Sequence, residues 1–115
     1  MDFELSEEQR QLADSVGRYL NEQYDFEHRK KVLQSERGAS EAVWTQLAEL
    51  GVLSIPFSES AGGFGGGAVD MMSAMQAIGS ALVVEPVLGT VLAGRLIDTA
   101  GSASQRSEIL PQVVD

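Results

Sequence analysis

The sequence predicts an all-α fold, a compact orthogonal or up-down bundle of about six helices. Three observations carry this. Apolar residues recur at three- and four-residue spacing in successive segments, and no segment shows the alternation of a half-buried strand. Start and stop signals bracket those segments: S-x-x-Q at Ser6–Gln9 and again at Ser102–Gln105, with Gly51 and Gly101 as stops. The connections between segments are short, as antiparallel helix packing requires.

The first helix follows Ser6, with Glu7 and Glu8 at the positive end of its dipole and Leu12, Val16, Tyr19 and Leu20 as its apolar face. A second, shorter and more exposed helix spans Asp25 to Gln34, carrying Phe26, Val32 and Leu33, and Gly38 marks its end or the next turn. Ser40 opens a third helix, whose buried face is Val43, Trp44, Leu47 and Leu50; Gly51 ends it in the left-handed conformation. The apolar run from Val52 to Ile55 closes at Pro56, and the glycines from Gly62 to Gly67 form a flexible connection. A fourth helix runs from about Ala68 to about Ala81. Val69, Met72, Met75 or Gln76, and Gly79 mark one stripe, with Ala74, Ile78 and Ala81 beside it. Pro86 suits the first position of a fifth helix. Val87, Leu88, Val91, Leu92, Leu96 and Ile97 make that helix apolar around much of its girth, which predicts a central place in the core. Ser102 starts the last helix, with Ile109 and Leu110 on its apolar side and a kink or break expected at Pro111.

Composition narrows the function. A chain of 115 residues favours one domain, and 43% hydrophobic with 22% charged residues is ordinary for a globular protein. Eight basic residues face seventeen acidic ones, a formal net charge of −9. That argues against nucleic acid and against anionic membrane surfaces. The basic cluster Arg29-Lys30-Lys31 reads as a solvated helix face. The absence of cysteine removes disulfides, thiolate metal sites and cysteine nucleophiles. The opening Met1-Asp2-Phe3-Glu4 is acidic where a signal peptide is basic, and no apolar run is long enough to span a bilayer, so a cytoplasmic location is expected.

Several patterns invite a chemical reading. Gly63-Phe64-Gly65-Gly66-Gly67-Ala68 fits G-x-G-x-x-A, with a helix after it and Glu85 downstream. A dinucleotide site also needs a strand running directly into the turn, and here the apolar run stops at Pro56. The segment is read as a connection. His28, the single histidine, lies between Glu27 and Arg29 with no converging ligands nearby in sequence, and is read as exposed. Glu85 and Asp98 are acids in the most apolar part of the chain; either is a candidate base. Structural roles are favoured, with Asp98 solvated or paired to Arg95 and Glu85 capping the helix after Pro86. Ser54, Ser58, Ser60 and Ser73 lack a G-x-S-x-G setting, and Met71, Met72 and Met75 read as core filler or as lining for an apolar ligand.

In order along the chain, these segments resemble acyl-CoA dehydrogenases. Phe3-Glu4-Leu5-Ser6-Glu7-Glu8-Gln9 looks like their opening, and Trp44 through Leu53 resembles their W-x-x-L-x-x-L-G segment. Pro56 and Gly62-Gly63-Phe64-Gly65 match a following proline and Gly-Gly turn. Ile78-Gly79-Ser80-Ala81-Leu82 with Pro86, and Ala100-Gly101-Ser102 through Leu110-Pro111, resemble the remaining landmarks of the N-terminal helical domain. Three departures bear on substrate subclass: a longer loop from Pro56 to Gly62, Ser80 in place of an arginine, and the extra glycines at Gly65-Gly66-Gly67.

The resemblance implies a three-domain parent of which residues 1–115 are the N-terminal helical domain. Such enzymes use a carboxylate base and FAD to introduce an α,β double bond into an acyl-CoA thioester. The usual catalytic glutamate and most flavin contacts lie in the middle and C-terminal domains. No residue here inherits a catalytic, cofactor-binding or metal-binding role, and no FAD is expected on this segment alone. The implied contribution is part of the acyl-chain wall, for which the candidates are Met75, Val84, Glu85, Leu88, Val91 and Leu92. Implied partners are the remaining flavin-binding domains, acyl-CoA, electron-transfer flavoprotein, and copies or paralogues in an oligomer. Two other readings stay open: a free-standing helical interaction or dimerisation module, and a small acyl carrier pocket.

Overall fold

Five of the six helices begin where a side chain satisfies a free amide, the helix from Val87 being the exception. The computed structural model describes residues 3–115, so the acidic Met1-Asp2 pair lies outside the described residues. Six α-helices and one 3-10 turn are present, and no strand occurs among the described residues. Helix α1 is Glu7–Gln23, α2 Phe26–Gln34, α3 Glu41–Glu49, α4 Ala68–Ser80, α5 Val87–Ala100 and α6 Ala103–Val114; the 3-10 turn is Glu59–Ala61. Reciprocal capping boxes at Ser6–Gln9 and Ser102–Gln105 start α1 and α6. Asp25 caps α2 by accepting from the His28 amide, and Ser40 caps α3 by accepting from Val43. Gly51 follows α3 with φ at +91°, the left-handed stop its position predicts.

Helix α1 lies along α4, and α5 along α6, which also touches the 3-10 turn. The core joins Val16, Leu20 and Tyr24 of the α1 end to Val43 and Leu47 of α3, Val52, Leu53 and Ile55 of the apolar run, Met71, Ala74 and Ile78 of α4, and Val87 and Val91 of α5. Trp44 and Leu50 are half-buried against it. The domain is a plate, 42 × 41 × 19 Å, with a radius of gyration of 14.6 Å. A compact chain of this length would reach about 13 Å. A plate this thin cannot bury both sides of every helix.

That geometry corrects three expectations. Helix α5 is not central: Val87, Val91 and Gly94 face inward, while Leu88, Leu92 and Leu96 are 58%, 62% and 66% exposed. The α4 stripe of Val69 and Met72 points outward, and the buried face is Met71, Ser73, Ala74 and Ile78. Helix α6 does not break at Pro111, which sits inside a helix continuing to Val114. Pro111 lies in the last turn, so only the Ser107 carbonyl loses a partner, on a helix stretch open to water.

Candidate functional site

The six predicted wall residues separate into two groups. Glu85 is 4% exposed, Val91 is buried, and Met75 and Val84 are partly buried. Leu88 and Leu92 stand in solvent on the outer line of α5, with Leu96 one turn further. The structure therefore does not bring the six together around one cavity. Met75 and Val91 belong to the core, and the exposed leucines form a bare surface.

Glu85 is the one fully buried acidic residue among the described residues, and it does not cap α5. Pro86 occupies the cap position and α5 starts at Val87, one residue later than predicted. Glu85 instead points its carboxyl at α1. The Tyr24 hydroxyl donates to Glu85 Oε2 at 3.3 Å and accepts from the Val84 amide at 3.1 Å. Glu85 Oε1 is sealed from solvent and has no hydrogen-bond partner. Burial pushes the carboxyl above the ordinary carboxylate range, opposed in part by Tyr24 and by the backbone amides of Ser40 and of Glu85 itself. The Ser40 amide lowers the carboxyl without leaving Oε1 a hydrogen-bond partner. Burial likewise raises both Tyr24 and Tyr19, with Glu85 adding to each. Outside this cluster, an open groove of about 380 Å³ runs between the α3 N-terminus and Glu85-Pro86, lined by Arg37, Ser40, Trp44 and Thr45 among others.

Sequence analysis missed Tyr24 because it falls just past α1, at the C-cap, although its spacing continues Leu12, Val16 and Leu20. It missed Phe57 for a related reason. Phe57 is fully buried in an irregular segment, its ring against Gly94 of α5, where a Cβ would lie 2.5 Å from Cζ.

Asp98 takes the structural role assigned to it, with a different partner in front. Its Oδ1 and Oδ2 accept from the Ser58 hydroxyl at 2.8 Å and the Ser58 amide at 2.9 Å, while Arg95 stands at 3.9 Å. The Ser58 amide first, and its hydroxyl and Arg95 after, hold the carboxyl below the usual aspartate range against the cost of burial. Arg95 itself donates to the Pro56 carbonyl. Residues 56–58 are thus bolted to α5.

The glycine segment is a connection, and it is not loose. Its six amides are all in use. Gly62 donates to Glu59, Gly63 to Ser58, Phe64 to Ser54, Gly65 to Phe57 and Gly66 to Ile55, each to a backbone carbonyl. Gly67 donates to the Asp70 carboxylate, which also accepts from Gln9 of α1. A phosphate cradle needs such amides free and converging. A Cβ on Gly63 or Gly66 would lie 2.3 Å from the Phe57 carbonyl oxygen or 2.7 Å from that of Ile55. The glycines permit close backbone packing. His28 is exposed and pairs with Asp25 across 3.5 Å. Among the described residues no group of three or more His, Asp or Glu is arranged to hold a metal ion, and no helix is long and apolar enough to cross a membrane.

The family model of the acyl-CoA dehydrogenase N-terminal domain matches residues 6–115. The chain belongs to that family. Acyl-CoA dehydrogenase IpdE2 of Mycolicibacterium smegmatis is 29% identical over 106 residues, covering 91% of this chain and 34% of the relative. IpdE2 of Mycobacterium tuberculosis is 33% identical over 88 residues, 76% of this chain and 28% of the relative. Among solved structures, a variant of the Tcur3481–Tcur3483 steroid ACAD superposes with a TM-score of 0.88 at 29% identity, over 95% of this chain and 30% of that one. The ChsE4–ChsE5 complex of Mycobacterium tuberculosis superposes at 0.75 with 27% identity, over 93% of this chain and 32% of that one. The chain spans about a third of the length of these relatives. The all-helical acyl-CoA dehydrogenase N-terminal fold expected from the sequence is the fold found.

Proposed function

We propose that residues 1–115 serve a longer flavin-dependent acyl-CoA dehydrogenase as its N-terminal domain, acting in the cytoplasm on a bulky acyl-CoA thioester. The observation that carries this is the TM-score of 0.88 to a steroid ACAD over nearly the whole chain. The bulky substrate class is proposed from the steroid named for that relative. The bare line of Leu88, Leu92 and Leu96 on a plate-shaped domain supports a role beside further domains. Leu88 and Leu92, with Val84 on the adjoining connector, are the wall candidates placed to meet an acyl chain or a neighbouring domain; Met75, Glu85 and Val91 support them from the core side.

FAD does not fit on this chain. The glycine-segment amides are spent internally, and a −9 chain offers few cations for a pyrophosphate. The flavin, which supplies the hydride acceptor, is assigned to the other domains, as are the catalytic base and the contact with electron-transfer flavoprotein. Assembly with a paralogous subunit is proposed from the ChsE4–ChsE5 likeness. The exposed leucines also favour a second reading, an association module.

The test is to express this chain both alone and in one polypeptide with the sequence that follows it in its gene. The longer protein should be yellow and should reduce an electron acceptor when given a bulky acyl-CoA, while the 115-residue chain shows no flavin absorbance and no turnover. A long form that folds but stays colourless and inactive, both alone and with its paralogous subunit, would refute the enzyme reading and leave the association module.

A further inference from the structure

Residues 81–86 connect α4 to α5 and are held in an unusual way. Leu82 has φ at +53°, the left-handed region, without being glycine. Its carbonyl accepts from Arg29 Nε at 3.1 Å. Two residues on, the Val84 amide donates to the Tyr24 hydroxyl, which donates in turn to Glu85. A phenol at the C-cap of α1 thus grips the connector at two consecutive residues.

The weak point of this grip is Glu85 Oε1, which has no partner and is closed to water. An open-groove ligand does not explain it, because the oxygen is sealed from the groove as well. Helix α1 offers Tyr24 and Tyr19, both uncharged and both shifted upward by burial. Helix α2 offers Arg29, which is committed to the Leu82 carbonyl and acts on Tyr24. The α3 N-terminus offers the Ser40 amide. Arg37 and Glu41, on the groove rim, are exposed and pair with each other. Among the described residues no basic side chain pairs with Glu85. One phenol donor does not replace the hydration of a carboxylate, whereas a neutral carboxylic acid costs far less to bury.

We propose that Tyr24 and Glu85 form a proton-operated latch on residues 81–86: the connector is closed on α1 while the Glu85 carboxyl keeps its proton, and loss of that proton to solvent releases it. The released carboxylate gains water by swinging the connector outward, and the strained Leu82 is free to relax with it. The latch stands on the geometry of this chain and does not depend on the enzyme reading.

Amide hydrogen exchange on the 115-residue chain, corrected for the intrinsic pH dependence of exchange, tests it. Between about pH 5 and about pH 8, protection of the Val84 amide should fall by about tenfold or more, while α1 amides keep theirs. In Glu85→Gln the Val84 protection should stay level across that range. A level wild-type profile, or a Glu85→Gln profile that falls with the wild type, would overturn the proposal. Tyr24→Phe keeps the ring and removes both hydroxyl bonds, so its Val84 amide should exchange fast at every pH. Wild-type protection at Val84 in that variant would equally overturn it.

Discussion

Glu85 and Asp98 are both acids embedded in apolar sequence, and their surroundings shift them in opposite directions. Burial without a countercharge raises Glu85, so the neutral form is the one the fold favours. Its contribution to stability is complete below the ordinary glutamate value of 4.5 and is lost as pH rises through the raised value. The Ser58 amide lowers Asp98, so its contribution is complete above the ordinary aspartate value of 3.8 and is lost as pH falls through the lowered value. The two variants should therefore part company at neutral pH. Glu85→Gln should melt higher than wild type, and Asp98→Asn should lose about 1.5 to 3 kcal/mol, the worth of hydrogen bonds to a charged acceptor. Melting curves at neutral and mildly acidic pH check both signs, and a Glu85→Gln that melts lower at neutral pH would contradict the assignment. The sequence placed these acids among apolar residues but could not rank them. Their partners, Tyr24 and Ser58, lie 61 and 40 residues away, beyond the reach of any local pattern.

Helix starts were readable because a cap is a local pattern: Ser6 with Gln9, Ser40 with Val43, and Ser102 with Gln105 each act within one turn. Which face of a helix meets the core is not local. Helix α5 is apolar nearly all round, and its inward side is selected by Gly94, whose missing Cβ leaves room for Phe57. The glycine segment shows the same limit. Its composition rules out helix or strand interiors, yet its rigidity comes from carbonyls at Ser54, Ile55 and Phe57. Two glycine variants separate these cases. Gly66→Ala forces a Cβ against the Ile55 carbonyl and side chain, and should cost about 1 to 3 kcal/mol. Gly89→Ala, in α5 with nothing within 4 Å, should stabilise by about 0.5 to 1 kcal/mol through helix propensity. Denaturant midpoints of the two purified variants measure the contrast. Equal effects would mean that the glycine segment does not pack as described.

At the scale of the whole molecule, the question is what a plate 19 Å thick does with its apolar outer residues. Leu88, Leu92 and Leu96 recur every four residues, so they form a single ridge on α5 rather than scattered exposures. Water contact along such a ridge favours any surface that covers it, by roughly 25 cal/mol for each Å² removed. A net charge of −9 opposes self-association at long range, but salt screens that repulsion beyond about 8 Å at physiological ionic strength. The isolated chain should therefore associate as concentration and salt rise, and sedimentation velocity should show it. Leu92→Asp with Leu96→Asp should return it to monomer. Those changes also add negative charge, so Gln11→Glu with Gln23→Glu, on exposed positions of α1, supplies the matched control. If the control dissolves the oligomer as well, charge and not the ridge governs association. If the ridge variant alone does so, the apolar line on α5 is the surface that a covering domain or subunit has to meet.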